Sequence, residues 1–253
     1  MAPSTANGEA TYLLFVRHGT TPTTGKVLPG RAPGLHLSDA GRAEAGAVGT
    51  RLGELGSVRA LYSSPMERAV ETAEQIARCT SLPAEIEPGL IECDCGAWTG
   101  AGLRSVRSRR AWQAVLRHPS GFRFPGGESF IELQARVLST IERLTLRHPG
   151  EVVVVVSHAD PIKIALGSAL GSPLDLSPRI VVAPCSTSIV AYGAGSPLVL
   201  AVNTFSSPAL VGVPGPAAPH GTARAGTRST GAGRAGARGA PGAARPATAG
   251  SGT

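Results

Sequence analysis

The chain carries two kinds of apolar pattern. Short unbroken runs appear at 11–16 ("TYLLFV"), at 58–64 ("VRALYSS") and as five consecutive valines at 152–156. Runs of this length predict strands, and a run as uniformly apolar as the valines predicts one buried on both faces. "TSIVAYG" at 187–193 and "LVLAVN" at 198–203 predict two more strands, a hairpin at a sheet edge. "AEIEPGLIE" at 84–92 reads as a short strand or extended segment.

Between these runs, apolar residues recur at helical spacing. The stretch 37–55 predicts a helix with Ser38 or Asp39 as its cap. "SPMERAVETAEQIARC" over 64–79 holds three start signals: Ser64 as cap, Pro65 in the first position and Glu67 closing a capping box. The stretch 102–118 predicts one basic helix, and 125–148 a long one with a capping box from Ser129 to Glu132. Asp160 and Pro161 start a further helix directly after the valine strand. Strands alternating with helices predict an α/β fold, a three-layer α/β/α sandwich around a mostly parallel sheet.

Composition then divides the chain. From about Gly212 onward the residues are Gly, Ala, Pro, Thr, Ser and Arg, with few bulky apolar side chains. Such a stretch cannot bury enough apolar surface to offset the entropy of ordering it. It is expected to be a disordered basic tail over 211–253, behind a catalytic domain over 1–210. Five of the 24 basic residues and none of the 17 acidic ones lie in it, leaving 19 against 17. The basic balance is therefore mostly a property of the tail, and it is not expected to make nucleic acid a partner. No run approaches the ~20 apolar residues that span a bilayer, and no leader pattern is evident. The four cysteines form no CxxC pair, and Cys93, Asp94 and Cys95 match no standard zinc spacing. The expectation is reduced thiols, a cytoplasmic location and no metal.

Ligands of open α/β sheets bind beyond the carboxyl ends of the strands. That rim would gather Arg17 and His18 after the first strand, Arg68 in the first turn of the helix after the second, and His158 after the valine strand. Two guanidiniums, two imidazoles and helix N-termini together suit a phosphate dianion. Taken singly, each of these residues would more often be structural or solvated. Their common edge is what points to a site.

These residues also carry a resemblance. Arg17-His18-Gly19 with Thr21, "SSPMERAVETA" at 63–73, "LIECDCGAWTG" at 90–100, "PGGES" at 125–129 and "VVVVSHAD" at 153–160 resemble ordered segments of the histidine phosphatase superfamily, which includes the cofactor-dependent phosphoglycerate mutases. The resemblance runs from about Leu13 to Asn203. It implies a phosphoglycerate mutase-like fold with His18 as nucleophile, and Arg17, Arg68 and His158 around the phosphoryl oxygens. It implies Glu92 as general acid, with Asp94 a rival two residues away, and no metal or cofactor.

The chain departs from the family pattern at Thr20, where Glu or Gln is frequent, and at Thr24, where Asn is frequent. The Thr24 hydroxyl can still donate to a phosphate oxygen. Lys26 and Arg31, in the following loop, could reach an anionic substrate or could be solvated.

The expected activity is metal-independent hydrolysis of a small phosphorylated metabolite through a phosphohistidine. Mutase-type phosphoryl transfer is the alternative. It is disfavoured because only about 24 residues lie between Gly100 and Pro125, too few for the closing insertion of the mutases. A non-catalytic phosphate-binding protein is a second alternative. A serine hydrolase is set aside for want of a Gly-x-Ser-x-Gly elbow. Specificity is expected to lie near Arg31 and along 103–118.

Overall fold

The computed structural model describes residues 10–206 and 212–215. Of the chain's two compact units, Met1–Ala217 holds all of them. The expected tail, apart from 212–215, lies outside the described residues.

Among the described residues, six strands form one sheet: β1 (Thr11–Arg17), β2 (Val58–Ser63), β3 (Ala84–Ile86), β4 (Val152–Ser157), β5 (Thr187–Tyr192) and β6 (Leu198–Thr204). Their spatial order is β3-β2-β4-β1-β5-β6. The pairs β1–β4, β2–β4 and β2–β3 are parallel, whereas β1–β5 and β5–β6 are antiparallel. The valine strand lies between β1 and β2, and none of its valines is more than 2% exposed. Burying each contributes roughly 1.5–3 kcal/mol.

Alternation along the strands feeds two cores. Leu13, Phe15, Val153 and Val155 face one side, while Leu14, Val16, Val154 and Val156 face the other. Helices α1 (Asp39–Leu55) and α2 (Glu67–Thr80) cover the second face. On the first face lie α3 (Leu103–Arg107), α4 (Arg110–Arg117), α5 (Phe130–Arg147) and α6 (Ala159–Ala169). The result is the three-layer α/β sandwich with a mostly parallel sheet.

Side-chain caps open two of the six α-helices among the described residues, α1 and α5. Ser38 caps α1, accepting from the Gly41 amide at 3.1 Å. Ser129 and Glu132 form the reciprocal capping box that opens α5.

Two expectations need correction. The capping box at 64–67 does not form. Helix α2 starts at Glu67 with Met66 as its cap residue and no side-chain cap bond. The Ser64 hydroxyl is instead held by a buried histidine, and the Glu67 carboxylate accepts from the Gly34 amide at 2.9 Å. The helix expected over 102–118 is two helices broken at 108–109. Val106 and Val115 are both buried. Nine residues apart, they would fall on opposite sides of one continuous helix, roughly 180° around its axis. The break turns both toward the core.

Candidate active site

The parallel strands β1, β2 and β4 end on the same edge, and backbone bonds join the loops that follow them. The His18 amide donates to Ser157 O at 3.0 Å, and the Ser64 amide to Val156 O at 2.9 Å. The loop after β1 is tied down further. The Gly19 amide donates to Thr72 Oγ1 at 3.1 Å, and Thr20 donates through its amide and its hydroxyl to the Glu44 carboxylate, both at 2.9 Å. Thr20, a departure from the family pattern, thus has a local structural task. Glycine is needed at 19 because the loop runs against α1: a Cβ there would lie 2.6 Å from Gly41 O.

His18 is 4% exposed, and its Nδ1 lies 2.8 Å from Gly19 O. A carbonyl only accepts, so Nδ1 carries the hydrogen and Nε2 keeps its lone pair. Burial, then the charges of Arg68 and Arg17, push the His18 pKa down to about 3. The imidazole is neutral near pH 7. The ring of His158 lies with its centroid 5.1 Å from that of His18. His158 is fully buried and is held neutral by burial and by the neighbouring His18, Arg68 and Arg17. Its Nε2 lies 2.7 Å from Ser64 Oγ.

Arg17 donates through Nη1 to Val182 O at 2.7 Å, and the fully buried Arg68 through Nη2 to Gly30 O at 2.9 Å. Their other nitrogens are less occupied. Among the described residues, six buried side-chain atoms have no hydrogen-bond partner, and four of them are Arg17 Nε, Arg68 Nε, Arg68 Nη1 and His158 Nδ1. Orphaned donors cost about 1–3 kcal/mol each. Concentrating them around one histidine fits a site built for an anion.

A cavity of about 390 Å³ opens over Arg17 and His18, whereas the fully buried Arg68 and His158 are not among its lining residues. Of the expected residues, Arg17, His18, Thr24 and Glu92 line it. Thr24 Oγ1 accepts from the Thr21 amide at 2.9 Å while facing the cavity. Arg31 is placed elsewhere: it donates through Nε to the main-chain carbonyl of Glu92 at 2.8 Å and through Nη2 to Glu128 at 3.1 Å. It steadies the Glu92 loop instead of facing the cavity. Lys26 is exposed, with Nζ donating to Pro22 O at 3.2 Å.

Glu92 is 8% exposed and accepts from the Cys93 amide at 2.9 Å. Burial first, then the charge of Asp160, push its pKa up to about 7, against the opposing pull of the Cys93 amide, Arg68 and Arg17. A carboxyl poised there can both give and take a proton near neutrality. Its rival Asp94 caps the loop instead, accepting from the Gly96 amide at 2.9 Å.

Sequence reasoning missed several contributors. Arg136 donates to Gly89 O at 2.9 Å, Ile91 O at 2.8 Å and Glu92 O at 3.4 Å, and is clamped by Glu128 at 2.8 and 3.0 Å. Glu128 belongs to the "PGGES" stretch, whose role its spacing alone does not disclose. Asp160 and Lys163 line the cavity as an ion pair at 3.0 Å on the first turns of α6. Their i,i+3 spacing behind His158 was the available signal. Arg107 and Trp112 line it from α3 and α4.

No helix among the described residues is long and apolar enough to cross a membrane. Comparison with known proteins agrees with the geometry. The chain is 35% identical over 207 residues to the bifunctional protein Rv2228c of Mycobacterium tuberculosis, covering 78% of this chain and 55% of that one. It thus spans little more than half of that relative's length. It is 32% identical over 185 residues to a metal-independent phosphoserine phosphatase of Arabidopsis thaliana, covering 68% of this chain and 76% of that one. The structure of Bacillus stearothermophilus YhfR superposes with a TM-score of 0.70 at 29% identity, covering 76% of this chain and 96% of that one. The histidine phosphatase superfamily (branch 1) profile matches residues 13–204, and the chain belongs to that family.

Proposed function

We propose that this protein hydrolyses a small phosphomonoester through a phosphohistidine on His18, without a metal ion. The observation that carries the reading is the set of four buried, unpartnered nitrogens of Arg17, Arg68 and His158 around a neutral His18.

In the first step the His18 Nε2 lone pair forms a bond to phosphorus as the ester P–O bond breaks. The leaving oxygen takes a proton from Glu92, whose raised pKa keeps that proton available. The Arg17 and Arg68 guanidiniums and His158 Nδ1 stabilise the charge on the phosphoryl oxygens, a task that metal ions perform in many other phosphoryl transfers. In the second step the Glu92 carboxylate takes a proton from water. The water oxygen attacks phosphorus, the N–P bond breaks, and inorganic phosphate leaves a neutral His18. The segment between Gly100 and Pro125 forms only the short helices α3 and α4, which wall the cavity with Arg107 and Trp112, and its brevity favours water as acceptor.

The test is turnover of simple alkyl and aryl phosphates in the presence of a chelator, with acid-labile phosphoprotein trapped by rapid denaturation. His18→Ala is expected to lower kcat by about a thousandfold or more and to yield no phosphoprotein, with an unchanged circular dichroism spectrum. Full activity in His18→Ala would remove the mechanism.

A further inference from the structure

A second chamber adjoins the cavity over His18. Leu28, Trp112, Asp160 and Lys163 line both. The chamber measures about 120 Å³, and its other walls include the buried side chains of Val115, Phe124, Phe130 and Ile164. The aromatic wall is braced from behind: Trp98 packs edge-on against Phe124 with centroids 5.5 Å apart, and against Trp112 at 6.4 Å.

Its chemistry is one-sided. The charged residues lining the chamber, Asp160 and Lys163, are paired with each other at the seam with the main cavity, at 3.0 Å. A carboxylate or ammonium group entering it would leave water for a place whose counter-charges are already matched. An apolar group would leave water for an apolar wall. The size is comparable to the ~150 Å³ apolar cavity that takes one benzene ring.

We propose that this chamber receives the alcohol portion of the substrate, and that this portion is apolar: one ring, or a branched hydrocarbon of about six carbons. The proposal rests on the phosphatase reading and narrows it to a substrate class. The phosphoryl group sits at His18, the ester oxygen near Glu92, and the hydrocarbon passes the Asp160–Lys163 pair into the chamber.

The experiment compares kcat/KM of the full chain for benzyl phosphate, ethyl phosphate and phosphoserine, whose ester oxygens are all alkoxide leaving groups. Benzyl phosphate is expected to exceed each of the others by roughly tenfold or more, the scale on which apolar pockets discriminate. Val115→Phe, which fills the chamber, is expected to collapse the benzyl-to-ethyl ratio to below about three. Equal rates for benzyl and ethyl phosphate, or a preference for phosphoserine, would overturn the proposal. Inhibitor binding to the wild-type protein separates this failure from that of the phosphatase reading. If no ester is turned over, the phosphatase reading falls, and benzylphosphonate against ethylphosphonate still decides the chamber. Binding of the benzyl compound about tenfold tighter supports it, and equal binding overturns it.

Discussion

Ser64 Oγ and His158 Nε2 lie 2.7 Å apart, and both residues are fully buried. When the hydroxyl donates to Nε2, the hydrogen of the neutral ring sits on Nδ1, the nitrogen that has no other partner. In that arrangement Ser64 orients His158 and selects the tautomer that can donate to a phosphoryl oxygen. Ser64→Ala should leave a second ring nitrogen unpaired in a dry site, costing about 1–3 kcal/mol of stability. It should also lower kcat by roughly tenfold or more, whereas Ser64→Thr, which keeps the hydroxyl, should recover part of the rate. Thermal melts and steady-state kinetics on the three proteins check this. Unchanged kcat in Ser64→Ala would leave the contact with no part in turnover.

The raised pKa of Glu92 makes two expectations that point the same way. As general acid it must hold its proton, so kcat/KM for an alkyl phosphate should fall as pH rises through about 7. Glu92→Gln should lower the rate by about 10²–10⁴-fold and remove that alkaline limb. The stability sign follows from linkage. Between the ordinary carboxylate value of 4.5 and about 7 the folded state binds more protons than the unfolded state, so stability falls as pH rises across that window. Glu92→Gln should lose this slope and melt higher than the wild type at pH 8. His18 contributes the opposite slope. Its pKa is depressed from 6.5 to about 3, so its contribution is present above 6.5 and is lost as pH falls toward 3. Melts of Glu92→Gln and His18→Ala across pH 3–8 separate the two.

What could be read from the chain and what could not divide along a physical line. The valine strand, the β5–β6 hairpin and the Ser129–Glu132 capping box follow from local pattern, since each is set by residues adjacent in sequence. That Arg17, His18, Arg68, Glu92 and His158 lie near one another could be expected, because their motifs are contiguous and the topology brings the strand ends to one edge. Arg31 and Ser64 could not be placed. Each has an ordinary local role open to it, a loop cation or a helix cap, and only a partner far away in the chain decides otherwise: Glu92 and Glu128 for Arg31, His158 for Ser64. The break between α3 and α4 was hidden for a similar reason, because local helix propensity is high on both sides of it and the core position of Val115 decides.

The Arg31–Glu128–Arg136 network makes a prediction of its own. Glu128 accepts from both guanidiniums, and both also donate to the main-chain carbonyl of Glu92. Glu128 touches neither nucleophile nor cavity, so it acts through the position of the Glu92 loop. Glu128→Gln keeps the size and removes the charge, leaving two clustered guanidiniums short of a counter-ion. The expected result is a fall in kcat of roughly tenfold with KM changed less, and a displaced alkaline limb of the pH profile. A mutation that only weakened the fold would lower the melting temperature and leave the limb where it was.

The last prediction concerns how closely the nucleophile loop is pressed on α1. A Cβ on Gly41 would lie 2.0 Å from Thr20 O, and the neighbours are backbone atoms that cannot swing aside. Gly46, on the same helix, has nothing within 4 Å of the corresponding position. Alanine in place of glycine inside a helix gains roughly 0.5–1 kcal/mol where there is room. Gly46→Ala should therefore raise the melting temperature and leave turnover unchanged. Gly41→Ala should do the reverse, because relieving the collision moves Thr20 and, through the chain, Gly19 and His18. The Gly19 carbonyl that holds His18 Nδ1 would shift with them. Loss of stability should then come with a fall in kcat of at least about tenfold. If Gly41→Ala proved as stable and as active as Gly46→Ala, the loop would have slack that this packing denies it.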